Sequence, residues 1–167
     1  SSSSAASDVY KRQALHHLDI AVSESTNTGN RWMQVYSLYG KGYAHYRMNQ
    51  MERAKECANK GMEVSVEIGN AETTADLHKL LGMVAVKEED FGTSFDHFED
   101  ALKIALGGGM ARIAAETQTE YALLLARTGK KEDAVKYLDT AKKMYLDCEL
   151  DYRASKLDDY YEQVNNS

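Results

Sequence analysis

The stretch that decides the fold is Leu81-Gly82-Met83-Val84-Ala85, followed by Ser94-Phe95-Asp96-His97-Phe98-Glu99-Asp100-Ala101. In the second part, Ser94, Phe98 and Ala101 are separated by four and then three positions, so they share one helical face. In the first part, Gly82 would let a neighbouring helix approach closely. The two parts therefore predict a pair of helices packed against each other as a hairpin.

The hairpin pattern recurs when the chain is superimposed on itself with a shift of forty residues, and no insertion is needed. The small residues of the preceding helices are Gly42, Gly82 and Ala122, and the other aligned faces are Ala14, Leu18 and Ala21; Ala54, Ala58 and Gly61; and Ala134, Leu138 and Ala141. Gly29, Gly69 and Gly109 also align, where a helix would end in a left-handed C-cap. Because one hairpin cannot cover its own apolar face, we expect the hairpins to stack around a shared core.

The pattern predicts an all-α protein with a single domain over residues 14–167. The predicted helices are Ala14–Thr28, Arg31–Met48, Met51–Ile68, Ala71–Lys87, Phe91–Leu106, Ala111–Arg127, Lys131–Asp147 and Asp151–Val164. They group into three complete repeats at 31–70, 71–110 and 111–150, flanked by a first and a last helix. The first, at 14–30, corresponds to the second helix of a hairpin and lacks its partner, and the last, at 151–167, is a terminal capping helix. The last helix has the polar outer surface that a cap requires.

The overall composition supports a helical protein and excludes several kinds of partner. The chain has 167 residues, no proline, 43% hydrophobic residues and a formal net charge of -6. The absence of proline favours helices, and the negative charge argues against nucleic acid or anionic lipid as a partner. No apolar run of about 18 residues occurs, so we predict no membrane span. Cys57 and Cys148 lack metal-ligand spacing, which indicates free thiols in a reducing compartment and predicts a cytoplasmic location.

The N-terminal segment differs from the repeats that follow it. Residues 3–13 resemble the in-frame translation of a transposon-end adapter used in DNA sequencing, and the repeat pattern begins abruptly at Ala14. We therefore expect residues 1–13 to be an artefactual extension, disordered or irregular. The native protein would then extend further toward its N-terminus, and this chain would be a fragment of a larger protein.

The skeleton formed by Leu81-Gly82, Ala85, Ser94, Phe98 and Ala101 resembles the tetratricopeptide repeat. This resemblance covers residues 14 to about 164 and implies a right-handed α-solenoid of stacked antiparallel hairpins. The period of forty residues departs from the usual 34, as in the longer repeats of kinesin light chains and of arrays attached to signalling ATPases and nucleotide cyclases. HEAT and armadillo repeats share the longer period but lack this small-residue skeleton, so they rank second.

The resemblance also implies where a ligand would bind, since the first helix of each hairpin lines the concave groove in that family. The positions carried over are Tyr36, Tyr39, Tyr43, Tyr46 and Arg47; Lys79, Met83 and Lys87; and Glu116, Thr119, Leu123 and Arg127. The four tyrosines form a stripe of the kind found at binding hot spots. An equally good interpretation is that some of these rings pack against the preceding helix. Arg47, Lys79, Lys87 and Arg127 would form a basic ladder for a carboxylate-bearing peptide.

The sequence gives no support for catalysis or for a bound cofactor. Gly107-Gly108-Gly109 is not followed by the Lys-Ser or Lys-Thr pair of a phosphate-binding loop. The five histidines lack zinc-protease spacing, and no glutamate precedes a histidine by three residues. We predict no enzyme activity, no cofactor and no metal site.

The function predicted from the sequence is a scaffold that binds a peptide or protein segment in its concave groove. Two alternatives remain open. In one, the groove contacts another domain of the same parent chain, such as an ATPase or a cyclase. In the other, the chain is a structural module that self-associates through the exposed face of its first helix.

Overall fold

The computed structural model describes residues 2–166, and eight α-helices account for nearly all of them. They are α1 (Ser2–Thr28), α2 (Arg31–Arg47), α3 (Met51–Glu67), α4 (Ala71–Lys87), α5 (Phe91–Gly107), α6 (Ala111–Arg127), α7 (Lys131–Asp147) and α8 (Asp151–Asn166). The predicted helices are confirmed, and from α2 to α8 their ends differ by two residues at most. Ser1 and Ser167, which the predicted segments 1–13 and 151–167 include, lie outside the described residues.

Every connection between helices has the same backbone form. Gly29, Gly69 and Gly109 adopt positive φ values of 69°, 68° and 67°, as the C-cap pattern predicts. The other four connections have a residue in the same conformation, at Asn49, Glu89, Gly129 and Glu149. A left-handed residue therefore ends a helix every twenty residues, and α2 to α7 all have 17 residues. Equal helices and equal turns produce a regular stack.

The residue that follows the left-handed position often caps the start of the next helix. The backbone N–H of Asn70 donates to the Ser65 carbonyl at 2.9 Å, which closes α3 in a Schellman arrangement. The side chain of Asn70 then accepts from the Thr73 N–H at 3.1 Å and caps α4. Such a cap contributes about 1 kcal/mol to helix stability.

The helices form two layers. Consecutive helices pack against each other throughout, and α2, α4, α6 and α8 also contact one another in a row. Across residues 2–166, the odd-numbered helices make no such contacts among themselves. The even-numbered helices are therefore the inner layer of an α-solenoid, which confirms the predicted fold class.

The shared core is built from the aligned small and apolar positions. Ala54, Ala58, Phe98, Ala134 and Leu138 are all fully buried. In α1 the equivalent Ala14 is exposed and Leu18 is only partly buried, because α1 packs against α2 alone. Over the described part of the chain, no helix combines the length and apolar character that a membrane crossing needs.

The structure corrects the expectation that residues 1–13 are irregular. Helix α1 already begins at Ser2 and continues without a break to Thr28. Residues 2–28 contain neither glycine nor proline, so nothing in the sequence interrupts the helix. Val9 and Tyr10 are 53% and 72% exposed, so this extension receives little packing from the rest of the protein. The resemblance of residues 3–13 to an adapter stays a prediction.

Helices α4 and α5 approach each other closely at Gly82. A Cβ atom on Gly82 would lie 2.5 Å from Phe98 Cε1 and 2.6 Å from Phe98 Cδ1. The Ser94 hydroxyl donates to the Gly82 carbonyl at 2.9 Å. The residues whose pattern predicts the hairpin are thus also the residues through which its two helices are in close contact.

Gly82→Ala should destabilise the protein. Alanine is the better helix former by about 1 kcal/mol, but the added methyl group overlaps a fully buried ring, and such overpacking costs about 1 to 3 kcal/mol. We expect a net loss of up to about 2 kcal/mol in the free energy of unfolding, measured by urea denaturation.

Gly107→Ala is the matched control, because nothing lies within 4 Å of its added Cβ. This variant should be as stable as the parent or slightly more so. Equal stability of the two variants would show that the close approach at Gly82 does not constrain the hairpin.

Candidate functional site

The inner layer carries an open cavity with a volume of about 560 Å³. Its walls come from the four inner helices, with one residue from α7. The lining residues are Tyr39, Tyr43, Lys79, Met83, Arg112, Glu116, Thr119, Glu120, Tyr145, Tyr152, Arg153, Lys156, Leu157 and Tyr160. We call this cavity the inner groove. Five of its residues are tyrosines, and six others carry charge.

Half of the predicted site residues line the inner groove. These are Tyr39, Tyr43, Lys79, Met83, Glu116 and Thr119. The other half lie outside it, namely Tyr36, Tyr46, Arg47, Lys87, Leu123 and Arg127. The cavity thus brings together predicted residues from three different helices, but the groove is shorter than the helices that form it.

The structure divides the predicted tyrosine stripe between groove and core. The rings of Tyr39 and Tyr43 are 6.4 Å apart, those of Tyr43 and Tyr46 are 6.1 Å apart, and both pairs are stacked. Tyr46 packs against the buried core. Tyr36 is 46% exposed and lies outside the groove. Tyr39 lines the groove and also packs against the core, so the two positions overlap at this residue.

The predicted basic ladder is not a feature of the groove. Arg47, Lys87 and Arg127 are the last residues of α2, α4 and α6, and all three are exposed. At these positions a cation interacts favourably with the negative end of the helix dipole. The Arg127 guanidinium also lies over the Phe91 ring, 5.1 Å from its centroid. Of the four ladder residues, Lys79 alone lines the cavity.

Lys79 is a buried cation at the base of the groove. Its Nζ lies 2.8 Å from Asp76 Oδ1 and 2.5 Å from Glu116 Oε2. Burial on its own would lower the pKa of Lys79, but the nearby Asp76, Tyr39 and Glu116 outweigh this effect and raise the pKa. Lys79 therefore remains charged and links α4 to α6.

Glu116 connects the same cation to two arginines. Its Oε1 accepts from Arg112 Nη1 at 3.0 Å and from Arg153 Nη1 at 2.7 Å. Burial would raise the pKa of Glu116, but Lys79 and Arg112 more than compensate, so the pKa is lowered. The carboxylate is therefore ionised at neutral pH, and this ion network joins α4, α6 and α8.

Tyr39 of α2 lines the groove beside this network. Burial raises its pKa to about 12, although the positive charge of Lys79 acts in the opposite direction. The phenol is therefore neutral at physiological pH. It offers the groove a hydroxyl group and a ring face, and no charge.

Sequence reasoning missed eight groove residues, five of which belong to α8. These five are Tyr152, Arg153, Lys156, Leu157 and Tyr160. The signal that would have found them is the forty-residue period, since α8 starts at Asp151, in register with Arg31, Ala71 and Ala111. A helix in that register is an inner helix. The capping role of α8 stays a prediction, and the structure shows that α8 also lines the groove.

The remaining titratable cluster lies away from the groove. His78 and His97 approach with their Nδ1 atoms 3.0 Å apart, and His78 Nδ1 lies 3.9 Å from Asp100 Oδ2. Burial is the largest cause of the lowered pKa of both imidazoles. Within residues 2–166, no group of three or more His, Cys, Asp or Glu side chains has the geometry to hold a metal ion.

The family model of the tetratricopeptide repeat matches residues 35–65, which span most of α2 and α3. Residues 35–65 form a tetratricopeptide repeat. The resemblance predicted from the sequence is therefore confirmed. The match falls on the first complete repeat, whereas the fullest sequence skeleton, at 81–101, lies in the second.

The fold that contains this repeat is similar to a known crystal structure, that of BtubC (BKLC) from P. vanneervenii. The TM-score is 0.70 at 13% sequence identity. The similarity covers 84% of this chain and 59% of that one, so this chain spans less than two thirds of the other protein's length. At this identity the similarity concerns the fold alone. No curated protein matches the sequence.

Lys79→Met should destabilise the protein strongly, because Asp76 and Glu116 would lose their buried cation and keep only the half-exposed Arg112 and Arg153. Removing one partner from a buried charge network costs about 3 kcal/mol or more. We expect a loss of this size in the free energy of unfolding, measured by urea denaturation at neutral pH.

Arg153→Met provides the comparison, because Arg153 contacts the same Glu116 but its side chain is 49% exposed. Its loss should cost less than about 1 kcal/mol. Equal losses for the two variants would contradict the central place of Lys79 in the network.

Proposed function

We propose that this protein is a scaffold that binds a peptide or an extended protein segment in the inner groove. Tetratricopeptide repeats in general mediate protein interactions, and binding rather than catalysis is the activity proposed here. The observation that carries the proposal is the groove itself. It is an open cavity of about 560 Å³ whose walls combine five tyrosines with charges of both signs on consecutive inner helices.

The size and the lining of the groove support this kind of ligand. Its volume lies within the usual range of ligand sites, which suits a few side chains of an extended segment better than a folded domain. Tyrosine supplies a large contact area and a hydroxyl group with few rotatable bonds, so it loses little entropy on binding. The fixed ion network at Lys79 and Glu116 adds polar groups that need no rearrangement.

The bound segment could come from another protein or from another domain of a longer chain to which this sequence belongs. We propose a cytoplasmic location, supported by the two free cysteines. Nucleic acid is a poor candidate because the chain has a net charge of -6.

Selection from a random-peptide library needs no knowledge of the partner and is the appropriate first experiment.

Tyr43→Ala should weaken binding of the selected peptides at least about tenfold, as expected when a groove anchor is removed. Tyr43 is 36% exposed and lies in the groove wall, so its removal should leave the fold intact, as circular dichroism can verify. Affinities would be measured by isothermal titration calorimetry.

Tyr36→Ala is the matched control, because Tyr36 lies seven residues earlier on the same helix and outside the groove. It should bind the selected peptides with the same affinity as the unsubstituted protein. Unchanged binding by Tyr43→Ala, or an equal loss in both variants, would contradict a binding site in the inner groove.

Self-association is a second candidate function, favoured by exposed apolar residues at the start of α2. Trp32, Met33 and Tyr36 are 54%, 52% and 46% exposed. Trp32 and Tyr36 are four positions apart and lie on the same helical face. An exposed apolar patch of this kind is typical of an interaction surface.

If this patch joins two copies, the parent protein should be dimeric in light scattering and the Trp32→Ser/Tyr36→Ser variant should be monomeric. Burial of two large side chains in each copy would supply the driving force. A monomeric parent, or a dimer that the double substitution leaves intact, would contradict self-association through this surface.

A further inference from the structure

Glu120 differs from the other carboxylate of the inner groove. Glu116 is held by Lys79, Arg112 and Arg153, with N to O distances of 3.0 Å or less. Glu120 also lines the groove and is partly buried. Among residues 2–166, however, no Lys, Arg or His nitrogen lies within 4.0 Å of its carboxylate.

Tyrosine rings from two neighbouring helices line the same groove as Glu120. Tyr43 of α2 and Tyr160 of α8 line the groove together with it. After burial, the charge of Glu120 is the largest cause of the raised pKa of both Tyr46 and Tyr160, so both phenols lie close to the carboxylate. The face of a tyrosine ring attracts cations. The rings and the carboxylate therefore favour the same kind of ligand.

The protein's own cations do not neutralise this carboxylate. Lys79 and Lys87 of α4 act on Glu120 only at a distance, while Glu116 on its own helix repels its charge. Lys79 is already bound to Asp76 and Glu116. Burial is the main reason why the pKa of Glu120 rises to about 7, and the charge of Glu116 adds to it.

We propose that Glu120, together with the rings of Tyr43 and Tyr160, binds a cationic side chain, lysine or arginine, of the segment held in the inner groove. The ammonium or guanidinium group pairs with the carboxylate, and the aromatic rings cover its alkyl stem and charge. A carboxylate without an ion-pair partner, in a groove that Tyr43 and Tyr160 also line, favours this occupant. The inference rests on the proposed function and gives the ligand of that site its chemistry.

Small cations test the site without knowledge of the partner. n-Butylammonium and n-butylguanidinium would be titrated into isotopically labelled protein and followed by NMR, with 1-butanol as the uncharged probe. Both cations should shift the signals of residues around Glu120, Tyr43 and Tyr160, and 1-butanol should bind at least about tenfold more weakly. Equal binding of 1-butanol, or cation shifts outside the groove, would overturn the proposal.

Glu120→Gln keeps the size of the side chain and removes its charge, so it should reduce cation binding at least about tenfold. Since it removes an unpaired charge, it should also remain folded. Glu63→Gln makes the same change at an exposed position on the outer helix α3 and should bind both cations as the parent does. Equal binding by Glu120→Gln and Glu63→Gln would overturn the proposal.

The pH dependence supplies a test that needs no variant. Protonated Glu120 carries no charge, so cation binding should strengthen as the pH rises through about 7. By linkage, saturating n-butylammonium should lower the pKa of the Glu120 carboxyl, measured from its ¹³C shift. A pKa that n-butylammonium leaves unchanged would overturn the proposal.

Peptides separate this inference from the proposed function. In peptides selected on the protein, replacing the Lys or Arg residues by Gln should weaken binding at least about tenfold to the parent and have little effect with Glu120→Gln. If the peptides bind in the groove but this replacement changes nothing, the cation site is wrong and the proposed function stands. If the small cations bind at Glu120 but no peptide binds, the cation site stands and the proposed function is wrong.

Discussion

The structure depends on a small residue where the two helices of each hairpin cross. Gly82 leaves room for the ring of Phe98, and Gly42 lies against Leu80, Ala54 and Cys57. A side chain at Gly82 would push α5 away from α4 and change the position of each later helix in the stack. Because the crossings recur every forty residues and every turn contains one residue in the left-handed conformation, the even-numbered helices align in one inner row. The inner groove exists because that row is regular.

The ion network determines which chemistry the row presents. Lys79 lies between Asp76 and Glu116, and Glu116 extends the network to Arg112 and Arg153. Buried charges of this kind add little net stability, since their desolvation opposes their attraction. We infer that their role is to fix α4, α6 and α8 in register. The network leaves Glu120, one turn further along α6, without an ion-pair partner, so this carboxylate is open to a ligand.

The sequence was sufficient to predict the helices but only part of the groove. Helix ends are local features, encoded by left-handed residues such as Gly69 and by caps such as Asn70. From α2 to α8 the sequence predicts these ends to within two residues, whereas α1 begins at Ser2 and not at Ala14. Groove residues depend on how separate helices converge. The cavity includes residues of the first turns of α6 and α8 but does not reach the C-terminal ends of the inner helices, so Arg47, Lys87 and Arg127 fall outside it. The pairing of Lys79 with Glu116 spans 37 residues and two helices, and no local spacing encodes it.

The most direct test of the account is hydrogen exchange of the protein with and without a peptide selected on it. Binding in the inner groove should slow amide exchange in α2, α4, α6 and α8, where the ligand and the network restrict opening. Exchange in α3, α5 and α7 should change little, apart from the part of α7 near Tyr145. Protection confined to α1 or to the outer layer would contradict the account, because the ligand would then bind away from the row that the repeats form.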